Sequence, residues 1–501
     1  MILKELLEES NIVAENADMD AEIHGISYDS RTTAAGDIFV AIRGYEHDGH
    51  RYIGDAVKKG AVCVICEQAL DVATPYVLVK NSREALAAAS IAWFGNPAAK
   101  MKIIGVTGTN GKTTVTCLVK SIIERVTGDK VGLIGTKGNM IGEREMHAER
   151  TTPESYEMQE LLAMMVQEGC QYVVMEVSSH ALFLDRVYGI EFEVGVFTNL
   201  SPDHLDFHPT MEEYAKAKAL LFAHSRNSAI NIDDEYANLV SSDAIGNVFT
   251  YAVKNVAADL VAKSVRLSAR KIDFCALMIG QLNRIVLHIP GMFSVYNALS
   301  AVSATILLGF KIEDIATAIR ACESVKGRAE VVPTNGEYTV LIDYAHTPDA
   351  LENITKAVRG FAAGRVVTLF GCGGDRDRKK RPLMGGIAAA NSDFVVVTSD
   401  NPRTEEPAAI INDILVGMVD TKTPYKVIEN RREAIYWALD NSIPGDVLIL
   451  AGKGHETYQI FGKEKRHFDE REVVAEYFAK EREPSAADVG TLGAQASSPH
   501  K

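Results

Sequence analysis

The chain has 501 residues, 47% of them hydrophobic and 24% charged, with a formal net charge of −15. That length exceeds one ordinary core and predicts two to four domains. The acidic balance argues against a general nucleic-acid binder, whose affinity would come from neutralising phosphates. No apolar run reaches the ~18 residues that a bilayer span needs, which predicts no membrane partner. The start, Met1 to Glu9, is acidic and amphipathic, unlike a signal or transit peptide. Seven scattered cysteines give an odd count, which suits a reducing, cytoplasmic setting.

Residues 1–100 read as a first, small α/β domain. Strand-like runs at Asp37–Ile42, Ala61–Cys66 and Tyr76–Val79 alternate with helical stretches at Ile53–Lys59 and Arg83–Trp93. Cys63 and Cys66 form a C-x-x-C inside an apolar run with no second pair, so a strand core is expected there rather than zinc. Asp29-Ser30-Arg31 alone reads as a turn, and Gly95-Asn96-Pro97 as a linker.

Residues 101–330 read as a second domain. The apolar strand Lys102–Val106 runs into Gly105-Val106-Thr107-Gly108-Thr109-Asn110-Gly111-Lys112-Thr113-Thr114 and then into a helix over Thr114–Val126. Strand, glycine-rich turn and helix together predict a phosphate-binding loop for a nucleoside triphosphate. Lys112 can reach the β and γ oxygens, and the Thr113 hydroxyl can sit on Mg²⁺. The strict motif would place a glycine at Val106; here the glycines are Gly105 and Gly108. Thr151-Thr152-Pro153-Glu154 is expected to open a helix, with Pro153 in its first turn. Strand Gln171–Glu176 ends in a carboxylate suited to Mg²⁺. Strand Val194–Thr198 leads to Asp203-His204, and a helix over Thr210–Phe222 carries Lys216 and Lys218. Alternation from Val248 to Pro290 predicts antiparallel strands, followed by a helix over Gly291–Leu308.

Residues 331–483 read as a third, Rossmann-like domain. Strands at Val340–Ile342, Val366–Phe370, Phe394–Thr398 and Val447–Leu450 alternate with helices near Asp349–Arg359, Pro382–Ala390, Ala408–Val416 and Arg432–Leu439. That order predicts a mainly parallel sheet with ligands at the carboxyl ends of its strands. Polar strings stand there: Asp343-Tyr344-Ala345-His346, Gly371 to Asp377, Asp400-Asn401-Pro402-Arg403 and Gly452-Lys453-Gly454-His455-Glu456. Residues 484–501 are small and polar, as in a disordered tail.

The order of these motifs resembles the Mur ligases, which form amides at the expense of ATP in peptidoglycan precursor synthesis. The resemblance rests on Gly108 to Thr113, Glu176-Val177-Ser178-Ser179-His180, Thr198-Asn199-Leu200 with Asp203-His204-Leu205-Asp206, Gly327-Arg328, Asp343 to His346 and Gly452 to Glu456. It implies three domains: a UDP-binding α/β domain, a central P-loop ATPase domain with a parallel sheet plus antiparallel strands, and the C-terminal Rossmann-like domain. It implies a cytoplasmic monomer that adds meso-diaminopimelate to UDP-N-acetylmuramoyl-L-alanyl-D-glutamate. The alternatives are the L-lysine-adding member, another Mur ligase or a folylpolyglutamate synthetase. Two other classes differ in outcome: a regulatory nucleotide-binding module would leave the third domain's strings without a task, and a kinase would form a stable phosphorylated product rather than free phosphate and an amide.

The resemblance also implies roles. Gly108, Thr109, Asn110, Gly111, Lys112, Thr113 and Thr114 would hold ATP, with Asn297, Arg328 and Asp343 near its adenine and ribose. Thr113, Glu176 and His204 would bind Mg²⁺, joined by Lys218 as a CO₂-derived carbamate; Lys216 is the nearby rival. Ser30, Thr151, Thr152, Ser178 and Arg186 would contact the nucleotide-sugar substrate, and a glutamine found in some members is Leu184 here. Arg381, Asp400, Asn401, Pro402, Arg403, Gly452 and Glu456 would hold the incoming amino acid, which makes the basic run Arg376 to Arg381 an anion site. The Asp-Asn-Pro-Arg string marks the diaminopimelate-adding members, and Arg403 can clamp the carboxylate that L-lysine lacks at its distal end.

Overall fold

The computed structural model describes residues 1–44, 47–70, 74–205, 207–322 and 324–480. Asp206 and the polar stretch 484–501 lie outside the described residues. The fold is α/β with three domains, each built on its own sheet. In the first sheet, Gly25–Ser27, Asp37–Val40, Cys63–Cys66 and Tyr76–Val79 run parallel in that order, and Ile12–Glu15 closes the edge antiparallel to Tyr76–Val79. Cys63 and Cys66 sit in a wholly buried strand, where burial pushes the Cys63 thiol up to about 12.

The central sheet has eleven strands. Its middle is parallel: Val131–Ile134, Tyr172–Glu176, Lys102–Thr107, Phe192–Phe197, Ser225–Asn231 and Asn247–Ala252 are successive neighbours. Buried on both faces, Tyr172–Glu176 and Phe192–Phe197 carry near-continuous apolar runs. The expectation of antiparallel pairing from Val248 onward is corrected at its first strand: Asn247–Ala252 is parallel both to Ser225–Asn231 and to Leu260–Leu267. Alternation reports that one face is more exposed than the other, and it carries no information on strand direction. Pro153 is also displaced from its expected place. The helix is Ser155–Gln167, capped by Glu154 in an extended conformation, so Pro153 lies just before it.

The third sheet orders its strands Glu330–Val332, Thr339–Asp343, Val447–Ala451, Val366–Phe370, Phe394–Val397 and Tyr425–Val427, parallel except for the first. The expected helices are present as Pro348–Arg359, Lys380–Asn391, Pro407–Val416 and Arg431–Asp440. The chain divides into two compact units. One comprises Met1–Ser264, Phe274–Ile285 and Val295–Cys322; the other comprises Val265–Asp273, Val286–Ser294 and the described residues from 324 onward.

Candidate active site

Strand Lys102–Thr107 delivers the chain to the carboxyl edge of the central sheet, and helix Lys112–Thr127 leaves from it. The turn between them depends on glycine. Gly108 has φ 148° and Gly111 φ 87°, and a Cβ on Gly111 would collide with the Asn297 side chain. Asn297 therefore lies against the loop. Val106 is an interior strand residue paired with Glu176, so no loop glycine is needed there. The Thr109 N–H donates to the Asn199 carbonyl at 2.8 Å and the Asn110 N–H to the Asn199 Oδ1 at 3.0 Å. Thr113 and Thr114 are buried in the first turn of the helix.

Two lysines meet at this loop. Lys112 Nζ donates to the carbonyls of Gly108 and Thr109, both at 2.9 Å. Lys218, on helix Met211–Ala223, is 1% exposed and its Nζ donates to the same Gly108 carbonyl at 3.0 Å. Lys216, two residues away on that helix, is exposed. Burial above all, and then the charge of Lys112, holds the Lys218 ammonium well below the ordinary lysine value, with Asp203 opposing. The Lys218 ammonium also lies 4.6 Å from the centre of the Tyr214 ring.

Glu176 ends its strand one position along from the loop, and its buried carboxylate is oriented from outside. Thr136 donates to it twice, from its N–H at 2.9 Å and its hydroxyl at 3.1 Å. A Cβ on Gly135 would stand 2.5 Å from Glu176 Oε1, so glycine makes room for the carboxylate. His204 has φ 54°, a side chain 45% exposed and a ring centroid 4.9 Å from that of His180.

A cavity of about 550 Å³ lies on the amino-terminal side of the same unit, lined by Ser30, Tyr52, Arg83, Arg150, Glu154 and Arg186 among others. Leu184 also lines it and presents an apolar side chain to the cavity. Glu154 gathers three arginines: Arg186 Nε at 2.9 Å, Arg83 Nη1 at 3.1 Å and Arg150 Nη1 at 3.5 Å. From there contacts lead to Glu176. Arg186 donates to the Thr152 carbonyl at 3.3 Å, and the Thr152 hydroxyl donates to the Glu176 carbonyl at 2.9 Å. The Ser178 N–H donates to Thr152 Oγ1 at 3.1 Å, and the Thr151 and Thr136 hydroxyls share a hydrogen bond at 2.9 Å. Ser30, Thr151, Thr152, Ser178 and Arg186 thus belong to one connected region. A larger cleft, about 780 Å³, opens at the opposite, amino-terminal ends of these strands, beside Lys102, Gln171 and Glu193, and holds none of the expected residues.

The second unit carries the other cluster. Gly327-Arg328 adjoins Asp343: the Ala329 N–H donates to Asp343 Oδ2 at 2.7 Å, and the Arg328 guanidinium lies 5.3 Å from the Tyr344 ring centre. Burial pushes the Asp343 carboxyl up, against the charge of Arg328. The Gly452 N–H donates to the Asp343 carbonyl at 3.0 Å. Asp400, Asn401 and Glu456 surround the ammonium of Lys453, and Asn401 Nδ2 donates to Glu456 Oε2 at 2.9 Å. Arg403, with φ 51°, donates from Nη1 to the Gly374 carbonyl at 2.8 Å. Pro402 accepts the Glu405 N–H at 3.1 Å. Arg381 stands apart from this group. It is fully buried and ion-paired to Glu405 at 2.8 Å and Asp413 at 2.9 Å. Its neighbour Arg378 also pairs with Glu405, at 2.7 Å. Two members of the basic run, Arg378 and Arg381, are therefore paired with carboxylates of their own unit.

Four residues of these sites escape a reading of the sequence: Arg83, Glu154, Thr136 and Lys453. Lys453 lies within the Gly452–Glu456 string and Glu154 ends the Thr151–Glu154 string, whereas Arg83 and Thr136 have no local signal.

The comparisons with known proteins agree across the chain. Residues 22–94 match the Mur ligase family, catalytic domain; residues 106–305 the Mur ligase middle domain; and residues 327–454 the Mur ligase, glutamate ligase domain. A Clostridium tetani protein named UDP-N-acetylmuramoyl-L-alanyl-D-glutamate–2,6-diaminopimelate ligase is 48% identical over 483 residues, 95% of this chain and 99% of that one. A Clostridioides difficile protein of the same name is 42% identical over 487 residues, 96% of this chain and 100% of that one. A solved structure of a ligase of that name superposes with a TM-score of 0.73 at 31% identity, covering 97% of this chain and 100% of that one. The Thermotoga maritima MurF ligase in complex with ADP shares the fold, with a TM-score of 0.59 at 18% identity, covering 92% of this chain and 98% of that one. The chain belongs to the Mur ligase family.

Proposed function

We propose that this enzyme joins meso-diaminopimelate to UDP-N-acetylmuramoyl-L-alanyl-D-glutamate, converting ATP to ADP and phosphate. The observation that carries the reading is the cluster in which Asp400, Asn401 and Glu456 meet at Lys453, with Arg403 following in the same string and its Nη1 on the Gly374 carbonyl. Arg403 suits a carboxylate and Glu456 an ammonium, and the distal end of diaminopimelate presents both. L-Lysine presents the ammonium alone.

The reaction has two steps. The D-glutamate side-chain carboxylate attacks the γ-phosphorus of ATP, the bond to the β-γ bridging oxygen breaks, and ADP leaves. The amine of the incoming amino acid then attacks the acyl carbon, loses a proton, and the tetrahedral adduct expels phosphate to leave the amide. Carboxylate and γ-phosphate are both anionic, so the protein's work is charge neutralisation and positioning. Lys112 and the loop N–H groups at the start of helix Lys112–Thr127 hold the phosphates. Arg186, Arg83 and Arg150 outnumber the one carboxylate they share, which suits the cavity for an anionic part of the nucleotide-sugar substrate.

The donor set fits Mg²⁺. The Thr113 hydroxyl and the oriented Glu176 carboxylate are hard oxygen ligands, and His204 would complete the set. When bound, the ion would neutralise phosphate charge. Lys218 also fits a carbamate: CO₂ adds only to a neutral amine, and burial beside Lys112 favours that form. A carbamate turns a cation into an oxygen anion that can join Thr113, Glu176 and His204. The reading implies a monomer acting in the cytoplasm on small molecules.

The test is product analysis by mass spectrometry with ATP, Mg²⁺ and both substrates. A UDP-linked tripeptide, with ADP and free phosphate in equal amounts, is expected. A stable phosphorylated dipeptide would make the protein a kinase instead.

A further inference from the structure

We propose that Lys453 is a positioning and specificity-determining residue of the amino-acid site, a built-in counter-ion that holds Asn401 and Glu456 and selects a ligand head bearing both charges. The inference rests on the reading of that site given above.

Lys453 is 0% exposed. A lysine ammonium has three N–H donors, and three acceptors surround this one: Glu456 Oε2 at 3.0 Å, Asp400 Oδ1 at 3.1 Å and Asn401 Oδ1 at 3.2 Å. The consequences run outward. Asn401 Oδ1 also accepts the Ile460 N–H at 3.1 Å, which orients the amide and turns its Nδ2 toward Glu456. Both side-chain hydrogen bonds that Glu456 accepts among the described residues fall on Oε2, so Oε1 is the atom that can take a ligand ammonium. Burial alone would raise the Asp400 carboxyl, but the charges of Lys453 and then Arg431 hold it below its ordinary value.

Charge balance supplies the selectivity. Asp400 and Glu456 contribute two negative charges, and Lys453 and Arg403 two positive ones. A neutral site accepts a head carrying one ammonium and one carboxylate. It rejects a lone ammonium, because Glu456 Oε1 can take that charge but Arg403 is then left without a ligand carboxylate and adds like-charge repulsion. Without Lys453 the site carries a net negative charge and favours a cation.

The experiment measures phosphate release by the full chain, wild type and Lys453→Met, while each substrate is varied. The variant is expected to raise the KM for diaminopimelate at least about tenfold and to lower the preference for diaminopimelate over L-lysine by a similar factor. The KM values for ATP and for the nucleotide-sugar dipeptide should stay within about twofold. An unchanged diaminopimelate KM, or three KM values rising together, overturns the inference. If Lys453→Met does not fold, the charge-balanced Asp400→Asn/Lys453→Met variant replaces it. It should show the raised diaminopimelate KM yet still reject L-lysine, and acceptance of L-lysine would overturn the charge argument. A wild type without diaminopimelate-dependent release would remove the underlying reading as well, whereas a responsive wild type with an indifferent variant removes this inference alone.

Discussion

Lys112 and Lys218 both donate to the carbonyl oxygen of Gly108, at 2.9 Å and 3.0 Å. Two ammonium groups on one carbonyl repel, and the buried one yields its proton more readily. Both effects disfavour the charged form of Lys218, and on the proposed reading its neutral amine takes up CO₂. Lys218→Ala should reduce kcat by at least about 100-fold, because it removes both the amine and any carbamate formed on it. Added bicarbonate should not rescue it. Lys216→Ala, on the exposed side of the same helix, should stay within about twofold of wild type. Steady-state kinetics on the two variants checks this, and near-normal turnover by Lys218→Ala would sink the carbamate.

Arg403 is held by its own backbone as well as by its side chain. Its N–H donates to the Ile460 carbonyl at 3.0 Å, and its carbonyl accepts the Gly462 N–H at 2.7 Å. Arg403→Ala should raise the KM for diaminopimelate at least about tenfold, by leaving the ligand carboxylate without its clamp. The KM for ATP should not move. An unchanged diaminopimelate KM would count against the assignment.

Arg186 lines a different cavity, proposed above for the nucleotide-sugar substrate. Its planar fork pairs with Glu154 and reaches the Thr152 carbonyl, so lysine cannot reproduce it. Arg186→Lys should raise the KM for the nucleotide-sugar dipeptide at least about fivefold and leave that for diaminopimelate unaltered. A change confined to diaminopimelate would place Arg186 in the wrong subsite.

Glu405 links Arg381 and Arg378, and its hydrogen bond to Arg381 above all lowers its carboxyl from about 4.5 to about 2. A depressed folded-state value stabilises the protein above the unfolded value and loses that contribution as pH falls toward the folded one. Wild type should therefore exceed Glu405→Gln in melting temperature at pH 6, and the gap should narrow steadily from about pH 4.5 downward. Melting curves across that range check it. A gap that widens on acidification would contradict the pairing.

The phosphate loop and Glu176 were legible because their signal is local: glycines, Lys112 and a strand-terminal carboxylate lie where adjacent strands bring them together. The third sheet was legible because its strands are buried on both faces and read as unbroken apolar runs. What resisted reading depends on partners distant in sequence. Arg83 meets Glu154 across 71 positions, and Lys453 meets Asp400 across 53. Nothing in a basic run reveals that Arg381 pairs with Glu405 and Asp413. The direction of Asn247–Ala252 was hidden because side-chain pattern reports burial, which rises along this half-exposed strand, and not the direction of its neighbours.

The most direct test of the proposed function is phosphate release by the purified protein with ATP, Mg²⁺ and UDP-N-acetylmuramoyl-L-alanyl-D-glutamate, with meso-diaminopimelate, L-lysine or no amino acid added. Release that depends on diaminopimelate, with L-lysine little better than none, is the predicted result. Release driven by L-lysine would keep the ligase and overturn the reading of Asp400 to Arg403, and indifference to both amino acids would contradict the proposed reaction.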